Sequence, residues 1–493
     1  MKLKALLPLI VFAIAADAHG QQSPSGSGST ATTFDKFWVV AVSQFDQANQ
    51  FATSLAEFAN GNLVAVGGDL GNQANACKGF VGGAWTISTN QSGGNVFQKL
   101  SATCVSNSSQ KWGTIRPTPD GGGILTGEDD ANSLCNPCAI VAKSDSLGNV
   151  TFAQDLTRFA ASALLGITPS SDGGSITAGL GEAVLAQPNS GLVMKLSSTG
   201  TPQWGQLFTE TAQSFPGAVV NSGGGLVLDT INPTPDGGYV VSGVADAHFT
   251  NGFANVLTVI KLNSAQGVDW AKVYYSSNWG SFGAGTSRYS IIPTNNGYVV
   301  SGTLQGIAAQ FVFPHLFFLM SLDLQGNIVW QKGYGDSKNN ADGTVAIATS
   351  DGGYLLGGDT NQFGSGGEYV GWLIKTDVNG NITWQNRYAA GEPAGSNSDV
   401  IKDTIQTRDG GFAVAGYAYT GSLTYGGPAF WLFKTDSQGI VSGTCCQQAT
   451  TSTVQPIDLQ SFNAVYTQAS VTPVFMPITL RTRRTSVIPT SLF

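Results

Sequence analysis

Acid–base chemistry in this chain falls to carboxylates. Of three histidines, His19 lies in the leading segment, leaving His248 and His315. That is too few for a His-based triad or a multi-His metal centre, so no metal is expected. Gly-x-Ser-x-Gly, His-Glu-x-x-His and phosphate-loop patterns do not occur. The carboxylates singled out are Asp359, which directly follows an apolar strand (YLLGGD), and Asp336 and Asp342, which share the segment DSKNNAD. One of them would activate or steer water, Asp359 first. The cations that could hold an anion beside them are Arg288 (TSRYSII), Lys402 (VIKDTIQ) and Arg116 (WGTIRP).

Six cysteines allow up to three disulfides in an exported chain. Cys135-Asn136-Pro137-Cys138 has no following histidine, which excludes a c-type haem site and suits a loop disulfide. Cys77 and Cys104 fall in connections on the same face and could bond to each other or exchange partners with that pair. Cys445 and Cys446 are vicinal. The pairing stays open.

What positions these groups is a repeat. NGNLVAVGG at Asn60 recurs as DGGGILTG at Asp120, DGGSITAG at Asp172, DGGYVVSG at Asp236, NGYVVSG at Asn296, DGGYLLGG at Asp351 and DGGFAVAG at Asp409. Each copy is followed by a second strand and turn of the type MKLSSTGTPQW, IKLNSAQGVDW or IKTDVNGNITW. Asp-Gly-Gly supplies positive φ and a self-capping side chain, so each unit reads as two tight hairpins. Trp204, Trp270, Trp330 and Trp384 close units and can pack between neighbouring sheets. Such a unit buries its faces only against others like it, and radial stacking gives a β-propeller.

The expected class is therefore all-β, a single propeller of four-stranded blades. KFWVVAVSQFD before the first copy and FNAVYTQASVTPVFMPITLRT after the last read as two halves of one further blade. Joining them removes two open edges, so eight blades are expected, with seven as the alternative. Both tight turns of each unit fall on one face, which reads as scaffold. The long, dissimilar connections fall on the other, where function would sit, together with carboxylates that include Glu128 and Asp403.

Outside the repeats, Met1, Lys2 and Lys4 precede an apolar run and small residues to Gly20, the layout of a secretory signal peptide over residues 1–20. Residues 21–33 read as a disordered polar leader, 34–482 as the propeller and 483–493 as a tail. The expectation is a secreted protein of the periplasm or cell surface without a membrane span; the apolar stretch from Ile307 to Leu322 is interrupted by Pro314 and His315. Charged residues make up 11% of the chain, with 23 basic against 31 acidic and a net charge of -8. Roughly 25% is typical. Few Lys and Arg limit self-repulsion once carboxylates protonate, which suits an acidic medium, although a low-charge neutral secreted protein fits the composition equally. Nucleic acid is not an expected partner, since the one basic cluster is Arg481, Arg483 and Arg484.

The DGGYVVSG strands followed by KTDVNGNITW hairpins resemble the quinoprotein-like propeller repeats of secreted bacterial proteins. With the leader, the low charge and the scarcity of histidine, the chain resembles the tetrathionate hydrolases of acidophilic sulfur-oxidising bacteria. That resemblance implies an exported, acid-active enzyme that hydrolyses tetrathionate to thiosulfate, sulfate and sulfur species without a quinone cofactor, often as a homodimer. A non-enzymatic surface propeller that binds a protein or polysaccharide is the competing class, and a quinoprotein oxidoreductase is a third.

Overall fold

The structure is a computed structural model describing residues 32–38, 50–69, 83–103, 110–130, 133–182, 190–210, 225–249, 252–275, 279–282, 288–306, 315–336, 338–364, 367–389, 398–419, 428–441 and 447–484. Every regular element among them is a β-strand. No helix among the described residues is long and apolar enough to cross a membrane.

The strands form seven antiparallel sheets, one per blade. The innermost strands are Gln50–Glu57, Gln110–Pro117, Ala161–Pro169, Leu226–Pro233, Ser290–Thr294, Ala341–Ala348 and Val400–Gln406. Neighbours touch all the way round, the seventh against the first. Each hairpin next to the axis turns as its residues dictate. Gly173 and Gly237 take φ 80°, while Asp172 and Asp236 accept the amides of Gly174 and Gly238.

The expectation of eight blades is corrected to seven. Phe34–Trp38 pairs with Ala429–Thr435 and is the outermost strand of blade 7, not a third strand of a separate blade. The C-terminal run does not complete that blade either. It circles the rim, adding a fifth strand to six blades in reverse order. Gln447–Ala449 joins Ile382–Tyr388, Val454–Gln455 joins Ile328–Tyr334, and Gln460–Asn463 joins Val268–Tyr275. Tyr466–Val471 then joins Pro202–Glu210, Phe475–Pro477 joins Val150–Leu156, and Arg481–Arg484 joins Asn95–Ala102. Pro473 falls between two of these strands and Pro477 ends another, as suits a residue that cannot donate to a sheet ladder. The last rim strand also passes the expected boundary at residue 482.

Two repeated contacts hold each blade and join it to the next. Within five blades, a lysine of the third strand, buried in all but Lys143, reaches the turn aspartate: Lys195 to Asp172 and Lys261 to Asp236 at 2.7 Å, Lys375 to Asp351 at 2.8 Å, and Lys143 to Asp120 and Lys434 to Asp409 at 2.5 Å. The two repeats that carry Asn60 and Asn296 in the turn have Ser88 and Ser321 in place of lysine. A buried ammonium without its counterion would be costly, so charge is kept or dropped as a pair. Between blades, Trp270, Trp330 and Trp384 lie on Gly326, Gly380 and Gly439 of the next blade, where a Cβ would come within 2.7–2.9 Å of the ring. Phe34 makes the same contact with Gly93, so the N-terminal strand closes the ring by the device used elsewhere.

At the equivalent turn of blade 4 stands Gln266 at φ 72°, the one positive-φ residue other than glycine among the described residues. The left-handed conformation costs a side chain roughly 1 kcal/mol. Gln266→Gly is therefore expected to raise unfolding free energy in urea by about 0.5–1 kcal/mol; no gain would mean the Gln206 contact at 3.5 Å offsets the strain.

Candidate functional site

Six innermost strands share one irregularity. Their register against the second strand slips by one residue, leaving Thr53, Gly113, Leu165, Asp229, Thr344 and Lys402 without cross-strand partners. A bulge re-aims the extra residue, and here all six line one axial cavity of about 340 Å³. Arg288, two residues before the innermost strand of blade 5, also lines it. The fold thus offers six bulge positions round the axis, with Arg288 beside them, and fills them with different chemistry.

This cavity lies toward the long connections. A second, of about 280 Å³, lies toward the tight turns and includes Arg116. Leu165, Asp229, Arg288, Thr344 and Lys402 border both and form the waist between them. Arg288 crosses the axis from blade 5 to blade 2, donating from Nη1 to Thr114 Oγ1 and from Nη2 to the Gly113 carbonyl, each at 3.2 Å. The tight-turn face, expected to be scaffold alone, therefore also carries an axial opening.

Around the waist the charges are unevenly paired. Arg116 Nη1 donates to Ser54 Oγ at 3.0 Å and Asp403 Oδ2 at 3.3 Å, and Asp403 also accepts from Ser54 Oγ at 2.5 Å and Leu55 N at 3.2 Å. Glu128 is taken by Lys111 at 2.9 Å. Lys402 has no hydrogen-bond or ion-pair partner among the described residues; its Nζ lies 5.9 Å from the Tyr417 ring centre. Burial lowers its pKa, opposed by Asp359. Lys402 and Arg288 keep some exposure because they face the cavities.

Behind Lys402 sits a carboxyl pair. Asp342 and Asp359 are directly opposite on adjacent strands. Asp342 Oδ1 lies 2.6 Å from His315 Nδ1. Asp359 is buried, and its pKa is raised well above the usual range, first by desolvation and then by repulsion from Asp342, against the pull of Lys402. Desolvation likewise pushes Asp229 up to about 7, although Arg288 opposes it. In acid both are neutral while the guanidinium and ammonium groups stay charged.

The structure brings Arg116, Arg288 and Lys402 together on the axis. Asp359 and Asp342 stand beside Lys402 but line neither cavity. An ionised Asp359 activating water was the expected role; burial outweighs the cation and holds its proton instead. Asp336 does not join the cluster. Desolvation would raise its pKa, but a bond from Asn339 Nδ2 at 2.9 Å and the amides of Lys338 and Asn339 at 2.8 and 2.7 Å cap its turn and hold the pKa low. Asp229 was missed: matching LVLDTINP to VIKDTIQ sets it against Asp403, and only the bulge register places it level with Lys402 and Gly113.

Cys135 and Cys138 are bonded to each other and buried. Cys77, Cys104, Cys445 and Cys446 lie outside the described residues, as does the side chain of His248. Among the described residues no cluster of three His, Cys, Asp or Glu side chains could hold a metal ion.

Asp229 sets a pH dependence whose sign can be worked out. Its folded pKa of about 7 lies above the unfolded 3.8, so the native state binds the extra proton between those values. Stability therefore falls as pH rises from about 4 to about 7, by on the order of 4 kcal/mol for this group. Asp172 and Asp236, held at about 2 despite partial burial by Lys195 and Lys261, act oppositely. Their pairs contribute above pH 4 and are lost only as pH falls through 2. Denaturant melts of Asp229→Asn should show a smaller fall between pH 4 and 7.5 than the parent; parallel curves would refute the assignment.

No protein-family profile matches the chain, and a search of curated proteins returns no similar sequence.

Proposed function

We propose that the protein is an exported, acid-active hydrolase of tetrathionate. The observation that carries this reading is Lys402, a cation with no hydrogen bond or ion pair among the described residues, facing an axial cavity beside Arg288. A charged group taken out of water and left unpaired suits an anionic ligand. Two sulfonate ends would be held by Arg288 and Lys402, with Arg116 on the far side of the waist.

The chemistry asks little of a base. A water oxygen bonds to one inner sulfur, the central S–S bond breaks, thiosulfate leaves with the electron pair, and one proton goes to solvent. The remaining hydroxysulfanyl sulfonate resolves into sulfur and hydrogensulfate. Charge grows on the departing thiosulfate, and fixed cations in a water-poor cavity stabilise that growth. Asp359 is a positioning residue here: protonated in acid, it leaves Lys402 free for substrate.

Acid favours capture because Asp229 and Asp359 lose their negative charge while the cations do not. The mature protein incubated with tetrathionate at pH 3 is expected to release thiosulfate, and to do so more slowly at pH 7. Absence of turnover at both pH values would overturn the proposal, and binding without turnover would favour a non-enzymatic propeller.

A further inference from the structure

The cavity toward the tight turns differs in chemistry from the waist. Six of the seven innermost strands contribute a side chain about three residues past the bulge level. In blades 2 to 4 these are Arg116, Thr168 and Asn232; in blades 5 to 7 they are Ile292, Ile347 and Ile405. One arc is polar and carries a cation, and the facing arc is aliphatic. All six are half-buried, so the isoleucines show apolar surface to the cavity.

The polar arc is only partly committed. Thr168 Oγ1 donates to the Ile231 carbonyl at 2.7 Å and Asn232 Nδ2 to the Ile291 carbonyl at 2.6 Å. Arg116 directs Nη1 to Ser54, Ile115 and Asp403, and its other N–H groups have no partner among the described residues. Its side chain is 35% exposed, against 4% for Asp403. The guanidinium is therefore more exposed than its counterion and presents its remaining donors to the cavity, which Asp403 and Asp229 also border. Arg288 and Lys402 at the waist add positive charge at the inner end.

We propose that this tight-turn end of the axis is a second ligand site, for a small anion with an unbranched aliphatic tail: the head on Arg116, the tail along Ile292, Ile347 and Ile405. A cation alone would take any anion. The facing isoleucines select one that carries its own apolar surface. The site shares Arg116 and the waist cations with the tetrathionate reading, but it needs no bond to break.

Calorimetric titration of the full-length mature protein at pH 4 with methanesulfonate, butanesulfonate and hexanesulfonate tests it. Affinity is expected to rise about fourfold per added methylene, given roughly 0.8 kcal/mol for each one fully buried. Arg116→Met should bring hexanesulfonate down to the affinity of hexanol. Ile347→Trp, which fills the aliphatic arc and leaves the Arg116 contacts intact, should abolish the dependence on chain length. Equal affinity for the three sulfonates would overturn the proposal, as would hexanesulfonate binding unchanged in Ile347→Trp. The readout is binding alone, so a failure to hydrolyse tetrathionate leaves this result standing.

Discussion

Replacing Lys402 by methionine is expected to lower tetrathionate turnover at pH 3 by about 10²–10³-fold, the usual cost of removing one fixed group that stabilises transition-state charge. The substitution is clean for a structural reason. Lys402 makes no hydrogen bond or ion pair with the described residues, so its loss orphans no donor or acceptor. Its neighbour Asp359 is neutral in acid and needs no counterion. Methionine keeps the stem that fills the bulge, so the thermal midpoint at pH 3 should hardly move, or should rise as the desolvation cost of the ammonium disappears. Arg288→Met is a poorer test, because it strips partners from Gly113 and Thr114 across the axis. Full activity in Lys402→Met would remove the axial ring from the mechanism.

Deleting residues 447–493 should have the largest effect on stability. The rim segment buries Ile457, Leu459 and Tyr466 against the outer edges of the blades. Gln331 brackets Leu459, accepting from its amide at 2.9 Å and donating to its carbonyl at 3.1 Å, while Tyr466 hydrogen-bonds Thr258. At about 1.5–3 kcal/mol for each large side chain, those three alone amount to roughly 5–9 kcal/mol, comparable with the whole stability of many domains. Six outer strands would also present bare edges. The truncated chain should elute from a sizing column as aggregate. Leu459→Ala, a milder form, should cost about 2–5 kcal/mol in denaturant melts. A soluble monomeric truncation that melts within a few degrees of the parent would show that the rim strands decorate the propeller without holding it.

The propeller was legible because Asp-Gly-Gly dictates a local turn wherever it occurs, and the Lys and Trp that follow at fixed offsets mark the rest of each blade. The blade count was not legible, since a run such as KFWVV has the same alternation as third or fourth strand and only its partner, Ala429–Thr435, decides. The rim strands, as short as Val454–Gln455, carry almost no pattern of their own. Arg116, Arg288 and Lys402 could be picked out because each sits at or beside an innermost strand. Asp229 could not be picked out by inspecting charges, because a bulge is a mismatch between two strands and one strand does not show it. The protonation of Asp359 depends on how much water packing removes, a quantity absent from its immediate neighbours.

The way the rim is laid down fixes a timetable for making the molecule. A chain delivered amino end first exposes Phe34–Trp38 long before its partner, Ala429–Thr435, has emerged, so the first-made strand must wait for nearly the last blade. Only then can the remaining residues travel backward over blades already formed, from the sixth to the first. For that interval the outer edges are uncovered, and neighbouring newborn chains compete for them. Crowding among newly made chains, more than the intrinsic speed of hairpin formation, should therefore govern how much of this protein reaches its finished state.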